Sequence, residues 1–170
     1  MPTEILCDAK YLRLIRDNGW EFVQRKNVTG IVGIIALTSD RKLILVEQYR
    51  PPVGKNVIEI PAGLAGDTAN SKNEDLRFAA SRELEEETGY RAARMTLLAT
   101  GTASAGLCDE IITLFRAEDL EKVNDGGGDD GEDITVHEIP LDHVEHWLKK
   151  QTAQNKLVDL KVYSALHFAR

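Results

Sequence analysis

The stretch that most constrains this chain is Ser81-Arg82-Glu83-Leu84-Glu85-Glu86-Glu87-Thr88-Gly89-Tyr90. It reads as a helix bounded at both ends. Ser71 with Glu74 three residues later has the form of a capping box, and Gly89 suits the left-handed residue that stops a helix. At about 100° per residue, Leu76, Ala80, Glu83, Leu84 and Glu87 share one stripe, with Glu86 at its edge. An acidic run on a helix is ordinarily a solvated face. Here Glu83 and Glu87 continue the apolar stripe that should face the protein. Carboxylates at i, i+3 and i+4 repel one another, and burying each unpaired costs roughly several kcal/mol. A hard divalent cation resolves that conflict, and Mg²⁺ commonly bridges carboxylates and substrate phosphates. Arg82, four residues before Glu86, is placed to pair with it and orient its carboxylate.

These residues match a known pattern. Arg82-Glu83-Leu84-x-Glu86-Glu87-x-Gly89-Tyr90, preceded by Glu74, resembles the Nudix box. Upstream, Glu59-Ile60-Pro61-Ala62-Gly63 is similar to the approach to that box in the branch that cleaves ADP-ribose and nucleotide sugars. The likeness runs from about Trp20 to the C-terminal helices. Ten residues (64–73) separate Gly63 from Glu74, more than in the family pattern, which places an insertion of about five residues within Ala65–Lys72.

The resemblance implies a fold and a reaction. The fold would be an α/β/α Nudix sandwich with a mixed sheet, occupying residues 29–170. A small antiparallel β region, residues 1–28, would be exchanged across a homodimer. The reaction would be water attack on a diphosphate, splitting nucleoside diphosphate sugars (ADP-ribose and ADP-, GDP- or UDP-sugars) into nucleoside monophosphate and sugar phosphate. Mg²⁺ would be the cofactor, with Mn²⁺ as a substitute. Glu83 and Glu87 would ligate it directly, Glu86 directly or through water, and Ala62 through its carbonyl. Ligated carboxylates are poor bases, so the general base must come from elsewhere. Asp129-Asp130-Gly131-Glu132-Asp133 is the obvious source, although alone it reads more readily as a solvated acidic loop, an order that the resemblance reverses. By position in the family pattern Glu132 is the base or a further metal ligand, and Asp130 is the competing candidate.

Substrate contacts follow in the same way. Arg50, before Pro51-Pro52, resembles the arginine that grips the diphosphate through its two-pronged guanidinium. Trp20 and Arg25 resemble a base-stacking tryptophan and a phosphate-facing arginine. An indole stacks on any base, but Trp20 would serve equally as a hairpin core residue. Glu59 is a further polar contact. Where specialists for ADP-ribose carry a proline beyond the box, this chain has Ala105, which favours a broader nucleotide-sugar range. Other readings are a non-catalytic nucleotide-sugar sensor or a hydrolase of another dinucleotide diphosphate. Intact Glu83, Glu86 and Glu87 weigh against the sensor.

Composition narrows the remaining classes. A net charge of −7 over 170 residues lacks the basic footprint of a nucleic-acid binder. The longest strongly apolar run, Ile31–Leu37, is far below the roughly 18 residues a membrane helix needs. Two cysteines, Cys7 and Cys108, make no disulfide framework, and with no basic-then-apolar opening segment the expectation is a cytoplasmic protein. The four histidines show no metal-ligand spacing and read as structural.

Along the chain, 11–27 reads as a hairpin turning at Asp17-Asn18-Gly19. Ile31–Leu37 is a central strand and Leu43–Gln48 follows after a turn. Val57–Ile60, Met95–Gly101, Ile111–Arg116 and Asp133–Ile139 are extended. Asp142–Gln151 reads as a helix with Val144, Trp147 and Leu148 inward. Leu157–Ala169 reads as a second, with one stripe of Leu157, Leu160, Ser164 and Phe168 beside another of Val158, Val162, Ala165, Leu166 and Ala169. Lys161 interrupts that arc and must snorkel or find a partner.

Overall fold

The computed structural model describes residues 3–66, 74–128, 131 and 133–170. Strands β1 (Glu4–Asp8), β2 (Leu12–Asp17) and β3 (Trp20–Arg25) form an antiparallel sheet in that order. The β2–β3 turn is the two-residue Asn18-Gly19, both at positive φ (49° and 87°), the form whose twist matches its strands. The hairpin is as expected, and β1, which was not expected, adds the third strand that such a hairpin needs. The outer edge of β3 is held by a distant loop. Val23 N donates to Leu107 O at 2.8 Å, and Gln24 Nε2 donates to Asp109 Oδ2 at 2.7 Å.

The remaining elements are β4 (Gly30–Ala36), β5 (Lys42–Arg50), β6 (Lys55–Glu59), β7 (Ala62–Ala65), α1 (Leu76–Thr88), β8 (Tyr90–Thr102), β9 (Ile111–Lys122), β10 (Thr135–Pro140), α2 (Val144–Ala153), β11 (Leu157–Val158) and α3 (Leu160–Ala169). Two four-stranded sheets run β7-β4-β9-β8 and β10-β5-β6-β11. Each is mixed, since β4–β9 and β6–β11 are parallel and the other pairs antiparallel. β4 and β5 are consecutive yet lie in different sheets, joined in ladder pairing by the Leu37–Leu43 bridge between them.

Side-chain alternation then sets the layers. Val32, Ile34 and Ala36 of β4 join Ile44 of β5 in a cluster with Ala79, Ala80 and Leu84 of α1. Ile35, Leu43 and Leu45 point the other way, into a cluster with Val144 and Leu148 of α2 and Val162, Ala165 and Leu166 of α3. The strands are thus sandwiched between α1 and the α2–α3 pair, the α/β/α arrangement anticipated. Trp147 packs on the second cluster, 4.8 Å from the His137 ring, as a core residue. Among the described residues no helix is long and apolar enough to cross a membrane.

Two helix starts differ from expectation. α1 is capped by Asp75, whose side chain accepts from Arg77 N at 2.8 Å. Ser71 lies outside the described residues, and Glu74 is engaged elsewhere, so the anticipated capping box does not start this helix. α3 begins at Leu160 because Asp159 caps it, accepting from Lys161 N at 2.7 Å. Leu157 and Val158 instead pair in parallel with Val57 and Ile58 of β6. With that start Leu160 is 80% exposed, so of the two stripes only the Val162–Ala165–Leu166–Ala169 one is buried.

Candidate active site

The site is built where β7 passes beside α1. Gly63 makes the approach possible, since a Cβ there would collide with the Glu83 carboxylate. One helical turn on, Glu87 is only 5% exposed and accepts from Ala62 N at 3.1 Å. The expectation that Glu83 and Glu87 face the protein holds for both.

Arg82 organises this corner. Its Nη1 lies 2.9 Å from Glu83 Oε1 and 2.8 Å from Glu86 Oε2, as the i, i+4 spacing implied for Glu86. Its Nε donates to Glu74 Oε1 at 3.2 Å and its Nη2 to Leu64 O at 3.0 Å. Burial disfavours its charge, but Glu74, Glu83 and Glu86 outweigh that and raise its pKa above the ordinary value. Glu74 also accepts from Gly66 N at 3.3 Å. Its role is to tie the end of β7 to α1.

Two further walls carry cations. On one, Arg50 Nε donates to Glu59 Oε2 at 2.7 Å, with Glu59 only 7% exposed. Beside it, Asp159 N donates to Ile58 O at 2.9 Å, which seats the start of α3 against β6. Lys161 Nζ there donates to Asp159 Oδ2 at 2.6 Å, which answers the question of its partner. On the other wall, Arg25 Nε donates to Glu110 Oε1 at 2.8 Å. One cavity of about 570 Å³ joins all of this, lined by Arg25, Gln48, Arg50, Glu59, Ala62, Gly63, Arg82, Glu83, Glu86, Glu87, Glu110 and Lys161 among others.

Of the sequence-derived candidates, Ala62, Glu83, Glu86, Glu87, Arg50, Glu59 and Arg25 therefore meet in one cavity. Trp20 does not line it. It stands at the far end of β3 and is 69% exposed. Asp130 and Glu132 lie outside the described residues. Gln48, Glu110 and Lys161 were not singled out as site residues. Lys161 carried a signal, a charge breaking an apolar arc, whereas Glu110 is recognisable only through its partner 85 residues away.

Among the described residues no three acidic, histidine or cysteine side chains stand grouped ready to hold a metal, and Arg82 draws Glu83 and Glu86 to its own guanidinium. The donors are nevertheless all oxygen, three carboxylates and a backbone carbonyl, which suits a hard cation of the Mg²⁺ or Mn²⁺ type. Gly63 keeps the space beside Glu83 clear of side chain. The residues fit such an ion.

Known proteins are similar to this chain to differing extents. A methanol dehydrogenase activator of Bacillus methanolicus is 39% identical over 140 residues, 82% of this chain and 71% of that protein. An ADP-ribose pyrophosphatase of Bacillus subtilis (strain 168) is 38% identical over 114 residues, 66% of this chain. There the match spans 59% of the relative's length, less than two thirds. Among solved structures, an ADP compounds hydrolase aligns with a TM-score of 0.68 over 88% of this chain and 81% of that one, at 22% identity, a likeness of fold. The NUDIX domain model matches residues 29–160, the span that holds α1 and both large sheets, and the chain belongs to the NUDIX family.

Proposed function

We propose that this protein hydrolyses the diphosphate bond of nucleoside diphosphate sugars, ADP-ribose included, to a nucleoside monophosphate and a sugar phosphate. The observation that most supports the reading is the make-up of the cavity: carboxylates on one helix, with Arg25, Arg50, Arg82 and Lys161 around them. Glu83, Glu87 and the Ala62 carbonyl would hold Mg²⁺, or Mn²⁺ in its place, with Glu86 direct or through water. Such an ion, when bound, polarises phosphoryl oxygens and acidifies bound water. Arg50 and Arg25 turn from Glu59 and Glu110 to grip the diphosphate oxygens. The attacking water's oxygen bonds to one phosphorus, its proton passes to Glu132 (or to Asp130), and the bridging P–O bond breaks, releasing two phosphate monoesters. Trp20 stacks on the base in the partner subunit's cavity: residues 1–28 reach across a homodimer, with Arg25 at their base still serving its own cavity, and 29–170 form the catalytic domain. A cytoplasmic location is part of the reading, supported by two free thiols.

The test is phosphate release, coupled to a phosphatase, over a panel of nucleotide sugars with Mg²⁺, Mn²⁺ or excess chelator. Release from ADP-ribose and at least one other nucleotide sugar, abolished by chelator, is expected. No release from any member with metal present would overturn the proposal. A second reading rests on the relative named for activating methanol dehydrogenase: the same hydrolysis would serve a dehydrogenase partner. Adding the protein to a methanol dehydrogenase and following its rate tests this second reading, and an unchanged rate would overturn it.

A further inference from the structure

The helix that carries the box carboxylates ends against a segment far away in the chain. Gly127 N donates to Glu87 O at 2.9 Å and Gly128 N to Glu86 O at 3.0 Å. Val123 N and Asn124 N both donate to Gly89 O, at 2.8 and 3.3 Å. Asn124 Oδ1 in turn accepts from Gly126 N at 2.8 Å and shapes the turn. The last carbonyls of a helix have no partner within it. Here two of them, on the residues whose side chains floor the cavity, are satisfied by main-chain amides of 127 and 128.

Gly126 is what permits this contact. Its φ is 69°, and a Cβ would land on the carbonyl carbon of Thr88, 2.6 Å from Gly89 N and 2.7 Å from Glu87 O. Those are backbone atoms of a helix end and cannot swing aside as a side chain would. The contact is therefore main chain on main chain, and any larger residue must push the segment off α1.

We propose that Gly126 is a positioning residue for Glu86 and Glu87. By letting 124–128 lie on the end of α1, it holds the last helical turn closed and fixes where both carboxylates point into the cavity. Helix ends open locally with little free energy when nothing ties them, and this end is tied. The inference rests on the cavity being the hydrolytic site only for its kinetic consequences; its structural content stands without it.

Three measurements on the full chain test it. In metal-free protein, Gly126→Ala should speed amide hydrogen exchange at Gly89, Gly127 and Gly128 by about tenfold or more, with amides of β4 and β5 unchanged. Mn²⁺ should bind about 10–100-fold more weakly, the range for losing the support of a ligand. In turnover, kcat should fall by up to about 10² while KM stays within about threefold. Gly126→Asn separates close approach from conformation, because asparagine tolerates positive φ but still carries a Cβ. It should behave like Gly126→Ala, and wild-type behaviour would overturn the proposal. If Gly126→Ala does not fold, Asn124→Ala removes only the acceptor of Gly126 N and should shift exchange the same way by about threefold. Wild-type exchange and Mn²⁺ affinity in the folded variant also overturn it. If the wild type hydrolyses nothing, the proposed activity fails, while exchange and Mn²⁺ binding still decide this inference.

Discussion

Glu87 is among the least exposed charged side chains of α1, and a buried carboxylate is costly unless its oxygens are engaged. Ala62 N supplies one hydrogen bond. Glu83 and Glu86 are held differently, by the guanidinium of Arg82. The two modes have different consequences for substitution. Glu87→Gln keeps the volume and an oxygen for Ala62 N but removes the charge, so folding should survive. kcat should drop by roughly 10² or more, the scale of losing a main electrostatic stabiliser. Steady-state kinetics beside circular dichroism checks this, and undiminished turnover would remove Glu87 from the proposed metal-binding set.

At the scale of elements, a polar cluster joins strands that the apolar core alone would not register. Glu47 of β5, 7% exposed, accepts from Asn56 of β6 at 2.8 Å and from Lys156, just before β11, at 2.7 Å. His137 of β10 lies 3.0 Å from the same carboxylate. Burial pushes the Glu47 carboxyl upward, but the bonds from Lys156, Asn56 and His137 outweigh it and hold the pKa below its ordinary 4.5. A depressed carboxyl pKa contributes stability that is complete above the ordinary value and disappears as pH falls through the folded one. Glu47→Gln should therefore cost about 2–3 kcal/mol at neutral pH, and the gap from wild type should close as pH drops below 4.5. Denaturant melts at a series of pH values measure it. None of this was legible in the sequence, where Glu47 was simply the polar end of a strand. Local cues carry over: the carboxylate stripe of α1, its stop at Gly89, and the turn expected at Asp17-Asn18-Gly19, which narrows to Asn18-Gly19 because Asp17 pairs with Trp20 at the end of β2. Strands of two to five residues, β11, β7 and β1, carry too little periodicity to announce themselves. The parting of β4 and β5 into separate sheets, and the Arg25–Glu110 pair, depend on partners distant in sequence. Loop cues placed the α1 cap too early, because Ser71-x-x-Glu74 fits the capping pattern as well as Asp75 does.

At the scale of the whole molecule, the N-terminal sheet meets the cavity at one end of β3 only. Arg25 lines the cavity of its own chain, yet Trp20 sits five residues back on β3, about 16 Å away at the rise of a strand. An exposed indole at that distance suits a neighbouring subunit's cavity. Trp20→Ala should raise KM by the equivalent of about 1–3 kcal/mol, similarly for adenine, guanine and uracil substrates, with metal-dependent turnover retained. Light scattering that shows a monomer, together with an unchanged KM, would limit the sheet to a structural role. The cavity itself has a thermodynamic consequence. Arg25 and Arg50, the arginines proposed to grip the diphosphate, each already hold a carboxylate of this chain, Glu110 and Glu59. An incoming diphosphate thus displaces internal counter-anions rather than salt from solution, so its affinity should vary little with ionic strength.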